Sequence, residues 1–133
     1  MADAVTTNVI QNTVSTDGIY TIHMTGISDG TGESNVVKID KSAFTSYDAA
    51  EPGIINILSA RWNVQGFSYI KLSTDHTTDD VVLLLSGNGY DNWDAGGGLR
   101  DPASSGQTGD LLLTSAGAAS GATYDITLEC LLR

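Results

Sequence analysis

Two histidines, one cysteine and sixteen carboxylates are the groups from which chemistry could start in this 133-residue chain. A nucleophilic hydrolase needs Ser, Cys or Thr beside a base, most often histidine. His23 falls on the outward side of an alternating stretch, His76 falls in a polar one, and no G-x-S-x-G elbow occurs. Cys130 takes an inward position in the final alternating run, where a free thiol behaves as a small hydrophobe. No catalytic residue is expected.

Carboxylates could instead hold a metal. Asp75, Asp79 and Asp80 flank His76, and Asp91 and Asp94 lie further on, so oxygen ligands for Ca²⁺ could converge if the loops meet. The spacing matches no EF-hand, and one cysteine with two distant histidines makes no zinc set. Acidic loops on a chain of net charge −10 read as solvated surface, and no metal or cofactor is expected. A carboxylate-pair glycosidase would need a concave cleft that so short a chain rarely builds. Gly87-Asn88-Gly89 followed by Gly96-Gly97-Gly98 is not G-x-G-x-x-G, and no lysine completes a phosphate-binding loop. The chain reads as a non-enzyme.

The aromatic residues point to binding. Tyr90 and Trp93 lie in a glycine-rich stretch, where an exposed ring could stack on a sugar or anchor a protein partner. The competing expectation for Trp93 is a lid folded over one end of the domain. Trp62 alternates with Leu58, Ala60 and Val64 and is expected in the core.

The elements that must position these residues are strands. Fifteen glycines, two prolines and short alternating runs of Thr, Ser, Val, Ile and Leu predict strands over 6–14, 19–27, 36–41, 54–64, 67–73, 81–85, 110–115 and 123–132. Asp17-Gly18 predicts a hairpin turn between the first two. The segment 1–13 then reads as the domain's own edge strand rather than an arm reaching a neighbour. Tyr20, Ile22 and Met24 are expected inside, as are Tyr124, Ile126, Leu128, Cys130 and Leu132. Val37 and Ile39 are set against Lys38 and Asp40. Gln65-Gly66 is expected to turn one strand into its partner, and residues 42–53 allow a short helical turn. The unbroken apolar run Val81 to Leu85 predicts a central strand covered on both faces. Residues 86–109, glycine-rich, read as one long loop. The fold class is all-β, a single-domain antiparallel β-sandwich or jelly roll of about eight strands spanning 1–133.

With 16 acidic against 6 basic side chains, phosphate-backbone binding to nucleic acid is excluded and an anionic membrane is disfavoured. No basic segment leads into an apolar run at the N-terminus, and no stretch approaches the roughly 20 apolar residues that span a bilayer. Synthesis as a soluble chain in a reducing cytoplasm is expected, consistent with a lone cysteine.

Two regions carry a family resemblance. Ile27-Ser28-Asp29-Gly30-Thr31-Gly32-Glu33-Ser34 followed by Val36-Val37-Lys38-Ile39-Asp40 resembles an element of small virion structural proteins of tailed bacteriophages. The run from Gly87 to Gly98, with Gly106-Gln107-Thr108-Gly109-Asp110-Leu111 and the final Ser120-Gly121-Ala122-Thr123-Tyr124-Asp125-Ile126, is similar to a second region of the same proteins. The motifs consist of turn residues, and their order is more telling than any one of them. The resemblance implies a capsid decoration or cement protein on the virion surface, made in the host cytoplasm. Its partner would be the lattice of the major capsid protein, and it would be a homo-oligomer, with a trimer favoured by analogy. The expected contact residues are Asp29, Gly30, Thr31 and Glu33 in one loop and Tyr90, Asp91, Trp93 and Asp94 in the other. The alternative is a carbohydrate-binding or receptor-binding tail component using the loop aromatics.

Overall fold

The computed structural model describes residues 5–14, 19–39, 55–75, 79–100, 110–117 and 119–132. The Asp17-Gly18 turn, the helical turn expected over 42–53, His76 and the Gly106 to Gly109 motif lie outside the described residues. Among the described residues there are ten strands: β1 (Val5–Val14), β2 (Ile19–Asp29), β3 (Val36–Ile39), β4 (Ile55–Gln65), β5 (Tyr69–Thr74), β6 (Asp80–Leu85), β7 (Gly87–Asn92), β8 (Leu99–Arg100), β9 (Leu111–Ala116) and β10 (Ser120–Leu132).

Eight of them form two four-stranded antiparallel sheets, β2-β10-β4-β7 and β3-β9-β5-β6, packed as a sandwich. The ladders β2/β10, β3/β9, β4/β7 and β5/β6 nest like one long hairpin bent between β5 and β6 and then rolled up, which is jelly-roll pairing. β1 pairs antiparallel with β2 and adds a fifth strand at that edge, so the 5–14 segment joins the domain's own sheet. The two residues of β8 continue the opposite edge along β4.

Alternation explains the core. Ile22, Met24, Ala60, Ile126, Leu128 and Cys130 from the first sheet meet Ile39, Ile70, Leu72, Leu85, Leu111 and Leu113 from the second, all buried. Three expectations are corrected. Gln65-Gly66 does not join hairpin partners, because β5 crosses to the other sheet and pairs with β6 and β9. The Val81 to Leu85 run is an edge strand: the apolar residues that suggested two-sided burial leave Val81 50% and Leu84 64% exposed. The expected 86–109 loop contains β7 and β8, held as strands by pairing with β4 rather than by propensity.

The fourth correction concerns Lys38. Simple alternation places it outward, but a bulge between Val37 and Ile39 in the β3/β9 ladder turns both Lys38 and Ile39 inward and leaves Val37 exposed. The Lys38 Nζ then lies 2.6 Å from Glu33 Oε1, with side-chain exposures of 3% and 0%. Tyr124 Oη on β10 donates to Glu33 Oε2 at 3.0 Å. Gly26, facing Tyr124 across the β2/β10 ladder, must lack a side chain, since a Cβ there would meet the phenol ring at 2.3 Å.

Truncating one member of a buried ion pair leaves the other charge without compensation. Lys38→Met is expected to lower unfolding free energy by about 3–5 kcal/mol in urea denaturation. The double variant Glu33→Gln with Lys38→Met should recover most of that loss; a cost for Lys38→Met below about 1 kcal/mol would mean the pair is solvated.

Candidate functional site

The outward side chains of β2, β10, β4 and β7 form one continuous polar face. Strand register sets it out in rows: Thr25, Asp125, Asn63 and Asn88; then His23, Thr127, Arg61 and Tyr90; then Thr21, Glu129, Ser59 and Asn92. His23 Nε2 lies 2.6 Å from Asp125 Oδ1, both side chains remaining well exposed. The Arg61 guanidinium lies over the Tyr90 ring, with Cζ 5.3 Å from the centroid. Asn92 Nδ2 donates to Tyr90 Oη at 3.1 Å, so the ring is fixed although 56% of the residue is exposed.

Two depressions flank the Arg61–Tyr90 pair. One, of about 520 Å³, is lined by Arg61, Asn63, Asn88, Tyr90, Asp125 and Thr127, with the Trp62 and Gly89 positions beneath. The other, of about 270 Å³, is lined by Thr21, Ser59, Arg61, Tyr90, Thr127 and Glu129. Gly89 stands opposite Trp62 on β4, where a Cβ would meet the indole at 2.6 Å. The indole is half-buried against the core, and its Nε1 donates to the Ser86 carbonyl at 3.1 Å.

The residues expected to make contacts do not form one patch. Asp29 lies at the end of β2 opposite Ser120, whereas Asn92 and the turn after it lie level with Thr21, about 25 Å away at strand rise. Asp29 and Thr31 are exposed, and the Thr31 hydroxyl and its N–H, at 2.9 Å, both donate to Asp29 Oδ1, holding that carboxyl below its usual range. Gly30 is exposed beside them. Glu33 is inside, its carboxylate engaged by Lys38 and Tyr124, and offers no charge to a partner. Tyr90 lies on a strand face rather than in a loop, and Asp91 is exposed next to it.

Trp93 is half-buried and packs against the core, its N–H donating to the Leu58 carbonyl at 2.7 Å. Its own carbonyl accepts from the N–H groups of Gly96 and Gly98, closing the 3-10 turn Asp94–Gly96 that Asp94 opens at the surface. Asn56 Nδ2 braces this turn through the Gly97 carbonyl at 2.6 Å. Trp93 is therefore the lid, and Tyr90 is the accessible ring. Alternation along β4 and β10 puts Arg61, Asn63, Asp125 and Thr127 on outward faces, but only the strand pairing brings them together with Asn88.

Among the described residues no three His, Cys, Asp or Glu side chains gather to hold a metal ion. Cys130 is buried, and burial, then the Glu129 charge beside it, pushes its thiol far above the ordinary range. The chain matches no family model, no curated protein and no solved structure.

Two contrasts are expected. Trp93→Ala should cost about 2 kcal/mol in chemical denaturation, and Tyr90→Ala should stay within about 0.5 kcal/mol of the parent. A thiol reagent at pH 8 should label Cys130 only after denaturant is added; rapid labelling of the native protein would contradict its burial.

Proposed function

We propose that this is a non-enzymatic virion protein of a tailed bacteriophage that binds the outside of the assembled capsid and stabilises it. The observation that carries the reading is the edge of the second sheet. β6 presents Val81 and Leu84 to solvent, and its outer backbone edge has no strand partner among the described residues. Such an edge is usually blunted by charge, a proline or a covering element unless another chain pairs with it. Here a subunit of the capsid lattice would supply the missing strand. The resemblance of the turn motifs, in their order, to those of small phage virion proteins supports the same reading, as does a net charge of −10 that would keep the protein away from packaged DNA.

Stabilisation follows by mass action. Many copies, each binding only the assembled shell, shift the equilibrium against disassembly without chemistry. A trimer about a local threefold position would add avidity, because the second and third contacts become intramolecular.

Co-sedimentation with expanded, undecorated capsids of the source phage tests the reading, with unexpanded procapsids as control. Saturable binding to expanded shells is expected, and Leu84→Lys should weaken it at least tenfold while leaving the thermal midpoint in place. Absence of binding to either shell would overturn the proposal, and undiminished binding by Leu84→Lys would remove β6 from the contact.

A further inference from the structure

The polar face of the first sheet is built unlike the β6 edge. At its centre a fixed, exposed aromatic ring stands between two depressions, and the side chains around it are amides, hydroxyls and carboxylates. We propose that this face binds a neutral oligosaccharide, with Tyr90 as the stacking ring and Arg61, Asn63, Asn88, Asp125 and Thr127 as hydroxyl partners. The site does not depend on the capsid reading, and it lies on the other sheet from β6.

Five features favour that ligand. The axial C–H groups of a sugar ring carry slight positive charge and pack on the negative face of an aromatic ring. Tyr90 is already immobilised by Arg61 on one side and Asn92 at its hydroxyl, so little side-chain entropy is lost on stacking. Asn63 and Asn88 each offer donors and an acceptor, Thr127 offers both, and Asp125 accepts, which suits vicinal hydroxyls that donate and accept at once. The two depressions share Arg61, Tyr90 and Thr127, so consecutive sugar units could occupy them with the shared residues at the linkage. The larger one lies within the range of about 300–1,000 Å³ found for small-molecule sites.

Charge selects among glycans. Asp125 lines the first depression and Glu129 the second, against Arg61 as the one cation lining both, and with the chain's net charge of −10 a sulfated or uronate-rich polymer is disfavoured. A protein partner would want an apolar centre of contact, and Tyr90 is the one exposed large hydrophobic residue lining these depressions.

An immobilised array of neutral oligosaccharides, including glucans, mannans, galactans and chitin fragments, alongside sialylated and sulfated ones, tests the proposal with the full chain. Binding confined to neutral members is expected. Titration calorimetry with the strongest of them should show at least a tenfold loss of affinity for Tyr90→Ala and for Asn88→Ala, with unchanged thermal midpoints, and no loss for Leu84→Lys. Failure to bind any neutral member, a preference for anionic ones, or full retention of affinity by both face variants would overturn it. Capsid co-sedimentation reads a different surface, so either proposal can fail while the other stands.

Discussion

The buried contact among Glu33, Lys38 and Tyr124 is the constraint on which the arrangement of the two sheets depends. Lys38 belongs to the second sheet and Tyr124 to the first, and Glu33 comes from the loop that joins β2 to β3. Its backbone is also bonded in both directions to Ser115 on β9: the Glu33 N–H donates to Ser115 Oγ at 2.8 Å, and the Ser115 N–H donates to the Glu33 carbonyl at 3.0 Å. One residue therefore ties the crossing loop to both layers. Removing two charges from water carries a large desolvation cost, offset only when geometry and hydrogen bonds are complete. The interaction consequently favours one relative placement of the sheets over others more than it adds net stability.

That placement has a functional consequence. With the sandwich locked, the first sheet keeps a polar, solvent-facing surface whose side chains are set by strand register rather than by loop conformation. Groups positioned on strands keep their geometry better than groups on loops. The Arg61–Tyr90 pair is a direct cross-strand neighbour pair, and the His23–Asp125 contact is diagonal on the same face. The second sheet ends in the apolar strand β6, paired with β5 on one side and with no strand partner on its outer edge among the described residues, so one domain offers two surfaces of opposite character.

Much of this was legible in the sequence because period two reports which side of a strand a residue takes. Tyr20, Ile22, Met24, Tyr124, Ile126, Leu128 and Cys130 all point inward as alternation requires, and all are buried. Period two does not report neighbours. Arg61, Asp125 and Asn88 come from three strands far apart in sequence, and only the rolled-up pairing brings them into adjacent rows. Nor does it report bulges: one extra residue in β3 turned Lys38 from a surface lysine into half of a buried pair, and with it Glu33 from a contact residue into a core one. Glycine-rich β7 reads as loop because its residues have little strand preference, yet a Cβ at Gly89 would meet the Trp62 indole, so the glycine makes room for that ring. Hydrophobicity misleads at β6, where five apolar residues in a row suggest a strand covered on both faces, yet Val81 and Leu84 are exposed and β6 is the last strand of its sheet among the described residues.

On the proposed reading, the outer edge of β6, which has no strand partner among the described residues, is what the capsid lattice covers. Hydrogen–deuterium exchange by mass spectrometry, on the free protein and on the protein bound to expanded capsids, tests it most directly. Peptides spanning Asp80–Leu85 are expected to exchange at least tenfold more slowly on the capsid, while those spanning Gly87–Asn92 exchange as in the free protein. Unchanged exchange in Asp80–Leu85, with protection appearing instead in Gly87–Asn92, would contradict it.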